Sequence, residues 1–217
     1  YLWRWLCRHR CMAAAFKPLV DRIADTDIRL QWFCCDRSTG VTDASGNRIT
    51  LIRDTQSPVA VEYQAVKFIG TGRDNIKAGV FSGWELGDYI YLRSEEAYMI
   101  KMEALAHKGS AEAVTELNSF MKTRQPDYNY TFTNKADLIE EIIYQKRVEF
   151  WGEGLEYIDN RRLNIPVDRT DETWGAENNN HFSAGKFRYN QEDRPFLYQL
   201  PLSEIENNSQ LSPSDQN

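Results

Sequence analysis

The chain has 217 residues, 41% hydrophobic and 27% charged, an ordinary balance for a soluble globular protein of one domain, or of a domain with an appendage. A net charge of −6 argues against nucleic acid as a partner. No stretch approaches the roughly 18 consecutive apolar residues of a membrane-spanning helix.

Residues 1–12, YLWRWLCRHRCM, form an atypical basic and aromatic segment with no acidic residue. Cys7, His9 and Cys11 match no standard zinc spacing, and Cys34–Cys35 does not complete one, so no metal site is expected. The segment reads as the cut end of a larger domain. Residues 13–33 read as helical pieces broken near Asp25-Thr26-Asp27, followed by a polar loop at 38–47. Residues 49–69 alternate short apolar runs with polar breaks and suggest one or two short strands, and 70–87 is a glycine-rich loop ending near Trp84.

Tyr91 to His107 predicts a helix whose main apolar face is Tyr91, Tyr98, Met102 and Leu105, with Ala97, Ile100 and Ala104 as a second, small-residue face. Gly109 stops it and Ser110 starts another, carrying Val114, Leu117, Phe120 and Met121 inward until Pro126. Together they make a helical hairpin like one tetratricopeptide unit.

Leu138 to Leu163 is the longest helical pattern. Tyr144, Val148, Trp151, Leu155 and Ile158 mark one face, while Leu138, Ile139, Ile142, Ile143, Phe150 and Tyr157 mark a second. Two apolar sectors imply neighbours on both sides, with Trp151 buried. Glu141, Gln145, Glu149 and Glu153 form a polar ridge between them. Gly152 and Gly154 each cost about 1 kcal/mol inside a helix, which suggests a bend that splits the pattern into a helix pair. The fold class is therefore mainly α: a hairpin packed on a long central helix, with a loop-rich periphery.

Three ordered motifs resemble those of the SusD/RagB family. Glu149, Glu153, Gly154, Asp159 and Arg162 keep the spacing of its E-R-x-x-E-L-x-x-E-G-x-x-x-x-D-x-x-R signature from the second glutamate onward, with Phe150 for the leucine, while Lys146 and Arg147 stand one residue closer to Glu149 than the signature's E-R. Tyr91, Leu92, Arg93, Glu96, Tyr98, Glu103 and Ala104 match a second run, and Asp27-Ile28-Arg29 a weak D-x-R. The C-terminal P-x-x-E at Pro201–Glu204, with asparagines after it, is similar too. The resemblance implies that residues 13–217 are a C-terminal portion of such a protein, without the N-terminal half that carries the lipid anchor and much of the ligand pocket. It further implies non-catalytic binding of a glycan or peptide at the outer-membrane surface, delivery to a SusC-like TonB-dependent transporter, and no cofactor.

The residues themselves leave other readings open. Glu149 and Glu153 are the carboxylate pair a glycoside hydrolase would use, but one turn apart on one ridge they suit structural pairing with Arg93, Arg147 or Arg161 better. A helical protein-binding scaffold, or a truncated product that binds nothing, are further alternatives. Glycan recognition needs exposed rings beside amides: Trp174 with Asn178 and Asn180 fits best, and Trp84 with Asp88 or Tyr128-Asn129-Tyr130 also qualify. Because these rings sit on separate loops, binding by the 217 residues alone is expected to be weak.

Overall fold

The structure, a computed structural model, describes residues 15–34, 64, 65, 67, 91–193 and 197–215. The expectations for residues 1–12, for the loops at 38–47 and 70–87, and for Trp84 and Asp88 fall outside the described residues. The chain forms two compact units, residues 1–149 and 150–217.

In the first unit a short helix α1 (Lys17–Asp21) leads to a 3-10 turn at Ile28–Trp32, and β1 (Phe33–Cys34) pairs antiparallel with β2 (Gln64–Ala65). Three longer helices come next: α2 (Ser94–His107), α3 (Glu112–Met121) and α4 (Lys135–Glu149). α2 packs on both α3 and α4, so the predicted hairpin does lie against the predicted central helix.

The α2–α3 corner is made by Gly109 at φ +70, where the Ser110 N–H reaches back to the Leu105 carbonyl at 3.0 Å. That six-to-one bond and the left-handed glycine are the two parts of a Schellman stop. Ser110 Oγ then accepts the Glu112 N–H and opens α3. α4 starts on Asn134, whose Oδ1 accepts the N–H groups of Ala136 and Asp137.

α2 buries a different face from the one its sequence suggested. Met99, Met102, Glu103 and Ala106 are buried, at the i, i+3, i+4, i+7 spacing of a single stripe, whereas Tyr98 is 53% exposed and Ala97, Ile100 and Ala104 also face out. Tyr91 lies before the helix begins and is 93% exposed, so it cannot extend a helical face. α3 contributes Ala113, Leu117 and Met121 to the core, with Val114 and Phe120 half-buried.

The long pattern from 138 to 163 is two helices. α4 ends at Glu149, and α5 (Leu155–Leu163) starts in the second unit after a turn that holds Gly152 at φ +78 and Gly154 at φ +85. Both are in the region that L-residues avoid, and that conformation, not close approach, explains Gly154, which has no neighbour within 4 Å of where a Cβ would sit. Of the two apolar sectors, Leu138, Ile142, Ile143, Tyr144, Val148 and Phe150 are buried. The two left-handed glycines interrupt the 3.6-residue period, and after Phe150 the pattern no longer predicts burial: Trp151 is half-buried and Ile158 exposed. The predicted burial of Trp151 as a core residue is corrected accordingly.

The second unit is built of short elements: α5, the antiparallel pair β3 (Val167–Asp168) and β4 (Arg188–Tyr189), α6 (Asp171–Trp174) and α7 (Leu202–Asn207). α5 is closed by Asn164 in the left-handed region at φ 55, where the Ile165 N–H bonds the Asn160 carbonyl. Asparagine is among the few side chains that tolerate this conformation. Among the described residues no helix is long and apolar enough to cross a membrane.

Leu117→Ala is expected to cost about 2–5 kcal/mol in urea unfolding followed by circular dichroism, as for a fully buried leucine. Gly109→Ala should cost about 1–2 kcal/mol through backbone strain alone, and Gly109→Asn less. Equal losses for alanine and asparagine would mean that the left-handed turn is not the reason for the glycine.

Candidate functional site

The polar ridge of α4 faces inward. Glu141, Gln145 and Glu149 are all buried, and Glu149 is the centre of a charge cluster. Its Oε1 accepts from Arg93 Nη1 at 3.0 Å and Arg124 Nη2 at 3.2 Å, and its Oε2 from Arg29 Nη1 and Arg124 Nε, both at 3.4 Å. The carbonyl of the same residue, at the end of α4, accepts from Arg93 Nη2 at 2.9 Å and from Lys67. Arg29 is 1% exposed and is gripped on its other side by Asp27, whose carboxylate also accepts the Arg29 backbone N–H at 2.8 Å. Glu95 accepts from Arg124 at 3.4 Å and lies 4.0 Å from Arg93. Three arginines (29, 93, 124) thus meet three carboxylates (27, 95, 149), with Lys67 on the Glu149 carbonyl beside them.

This geometry assigns Glu149 a structural task. Burial pushes its carboxyl up, but the hydrogen bond and charge of Arg124, with Arg29 and Arg93 behind them, outweigh it and hold the group below the ordinary glutamate range. A glycosidase acid needs the opposite shift and an open approach. Of the partners expected from sequence Arg93 is present, while Arg29 and Arg124 enter from segments that sequence spacing could not connect. Glu153 belongs to the second unit and is half-buried.

Trp174, the predicted ligand ring, ends α6 and is 37% exposed. Its indole Nε1 donates to the Asp168 carbonyl at 2.9 Å, so what it offers to a ligand is ring surface rather than a donor. Asp168 also takes the Thr170 N–H and both threonine hydroxyls, Thr170 at 2.8 Å and Thr173 at 2.7 Å, which fixes α6 on the end of β3. Asn178 and Asn180 are exposed, and Asn178 Nδ2 lies 3.3 Å from Glu177 Oε1.

The residue between them, Asn179, is buried. Its Nδ2 bonds the Arg169 carbonyl at 3.0 Å and Asp171 Oδ1 at 2.8 Å, while its Oδ1 accepts the His181 N–H. Lys186 closes the loop onto Asp171 at 2.7 and 2.8 Å. The run Asn178-Asn179-Asn180 therefore divides into one anchor and two outward amides. His181 beside it is held below the ordinary histidine range by burial and by the charges of Arg169 and Lys186, so it is neutral at pH 7.

Comparison with known proteins agrees with this architecture. The model of the SusD_RagB family, described as the SusD family, matches residues 63–217. The chain belongs to the SusD family. Its fold is similar to that of a SusD-like carbohydrate binding protein from Bacteroides vulgatus ATCC 8482, with a TM-score of 0.58 at 21% sequence identity over 89% of this chain. The chain spans 40% of the length of that solved protein. No curated protein matches it.

Glu149→Gln is expected to lower stability by about 3–5 kcal/mol, since it leaves the arginines undercompensated in a buried setting. The sign with pH comes from the depressed carboxyl: its contribution is full above the unfolded value of about 4.3 and is lost as pH falls through the lower folded value. The wild-type chain should therefore lose stability in acid more steeply than Glu149→Gln, measured as urea midpoints between about pH 7 and 3. Parallel curves would remove Glu149 as the titrating group.

Proposed function

We propose that this protein captures glycans without transforming them. Residues 13–217 act as the C-terminal domain of an outer-membrane surface protein that passes its ligand to a SusC-like TonB-dependent transporter. Membrane attachment is by a lipid anchor, and no cofactor is required. The observation that carries the reading is the family match over residues 63–217. The similar solved protein, described as carbohydrate binding, supports the ligand class.

In this reading Trp174 stacks on a sugar face, and Asn178 and Asn180 bond its hydroxyls. Their exposure supports the assignment, as does the way Asp168, Asp171 and Asn179 hold the loop beneath them. A platform already held in place loses little binding energy to ordering itself. The chain spans only part of its solved relative, so its own affinity is expected to be weak.

The test is calorimetric titration of the 217-residue chain with soluble oligosaccharides beside a Trp174→Ala variant. Weak binding that the substitution reduces about ten-fold or more is the expected result, matching the ~1–3 kcal/mol of a base or ring stacked on an aromatic. Micromolar binding that survives the substitution would move the ligand away from this loop. Hydrolysis of the oligosaccharide during the titration would overturn the non-catalytic reading.

A further inference from the structure

The turn that follows Trp174 carries an acidic group that the fold leaves uncompensated. The Gly175 carbonyl accepts the N–H groups of Asn178 at 3.1 Å and Asn179 at 3.0 Å, so residues 175–179 wind into a single turn directly after the ring. Gly175 has φ +77, a conformation open to glycine, and the Glu177 side chain folds back against it. A Cβ at position 175 would lie 2.6 Å from Glu177 Oε1 and 3.2 Å from Oε2. Both carboxylate oxygens are thus held beside the residue next to Trp174. Asn178 Nδ2 reaches Oε1 at 3.3 Å, which is the one bond Glu177 makes to another side chain among the described residues.

The neighbouring charges of the loop are matched. Asp168 is paired with Arg188 at 3.1 Å and Asp171 with Lys186 at 2.7 Å, and the Arg169 guanidinium lies over the Phe187 ring at 5.1 Å. Glu172, exposed on α6, forms no ion pair among the described residues. The ring is therefore flanked along the chain by two unpaired carboxylates, Glu172 before it and Glu177 after it. The Trp174 indole N–H is already engaged by the Asp168 carbonyl, so the one ionised group beside the ring that is open to hydrogen bonding is an acceptor. The Tyr128-Asn129-Tyr130 run of the first unit has no such opening. Tyr128 is buried with its hydroxyl on Glu141 Oε1 at 2.8 Å, and in the cleft that these residues line the Arg22 guanidinium covers the Tyr144 ring at 3.9 Å.

A carboxylate fixed beside an aromatic face accepts hydroxyls in bonds stronger than neutral groups make. The same charge repels a carboxylate or sulfate on the ligand, most strongly at low salt, where screening is weak. We infer that Glu177 sets the specificity of the Trp174 loop: it accepts hydroxyls of uncharged sugars and turns away glycans that carry uronate or sulfate groups, with Glu172 adding to the repulsion. The inference rests on the Trp174 loop being the glycan site. It adds the charge class of the glycan and the residue that selects it.

The experiment is saturation-transfer NMR on the 217-residue chain with cellotriose, mannotriose and galactotriose, each beside the trisaccharide of the same linkage with uronic acids in place of the hexoses. At least one neutral trisaccharide is expected to bind, and its acidic counterpart to bind about ten-fold more weakly in ~20 mM salt, with the gap narrowing in ~0.5 M salt. Glu177→Gln should weaken the neutral trisaccharide about five-fold and strengthen the acidic one. Glu177→Lys should reverse the preference. Both variants should leave thermal unfolding unchanged, since the side chain is exposed. Equal binding of the two members of a pair, or preference for the acidic one, would overturn the inference, and if Trp174→Ala still abolishes that binding the loop stands as the glycan site. A neutral preference that Glu177→Gln and Glu177→Lys leave unchanged would overturn the inference in the same way. Absence of transfer to every trisaccharide, or transfer that Trp174→Ala leaves intact, would overturn the loop as the glycan site and the inference with it.

Discussion

The first unit depends on one carboxylate. Glu149 closes α4 and draws Arg29, Arg93 and Arg124 onto its side chain, with Arg93 and Lys67 also on its carbonyl. A buried guanidinium such as Arg29 is tolerated only because Asp27, Gln145 and Glu149 surround it. Such a cluster adds less net stability than an apolar core of equal volume would, because its charges must first leave water. What it adds is definition: each arginine has one place where its fork is satisfied, so the segment before β1, the start of α2 and the end of α3 have one register against α4.

Much of this arrangement is visible in the sequence only as fragments. Gly152 and Gly154 inside an otherwise helical run signal the break between α4 and α5, and the structure puts both in the left-handed region that only glycine enters freely. The Gly109-Ser110 corner is equally readable because its chemistry is local. The Asp27-Ile28-Arg29 motif, weak by itself, sits at the heart of the cluster, but its partners on α4 lie 116 to 120 residues away and no periodicity connects them. The inward face of α2 is missed for a related reason. Tyr98 and Met102 fit a stripe as well as Met99 and Met102 do, and only α3 and α4 decide between them.

The candidate binding residues divide along the same line. An exposed tryptophan beside asparagines is legible in the chain, as for Trp174 with Asn178 and Asn180. The anchoring role of Asn179 is not, since its three bonds depend on how β3 and α6 bring Arg169 and Asp171 beneath it. In the first unit the Tyr128-Asn129-Tyr130 run can be picked out by composition, yet its cleft exists only once Arg22 and Tyr144 arrive from either side. In both units rings and amides are displayed by loops and the ends of short elements, while the helices supply rigidity.

The spacing of the Glu149 cluster also governs how the chain comes together in time. Arg29 and Arg93 precede their carboxylate by 120 and 56 residues, so each pairing closes a long loop and its entropy must be met before the bond forms. During synthesis the arginines emerge well before residue 149, and until then α2 and α3 associate through buried apolar side chains such as Met102, Ala113 and Leu117 and through the Lys101–Glu116 ion pair. The helical hairpin is thus the part that can assemble early, and arrival of the last turn of α4 is the event that locks it. Loop closure over such separations makes for slow maturation, and it opens a window in which half-assembled chains are vulnerable to premature association with other polypeptides.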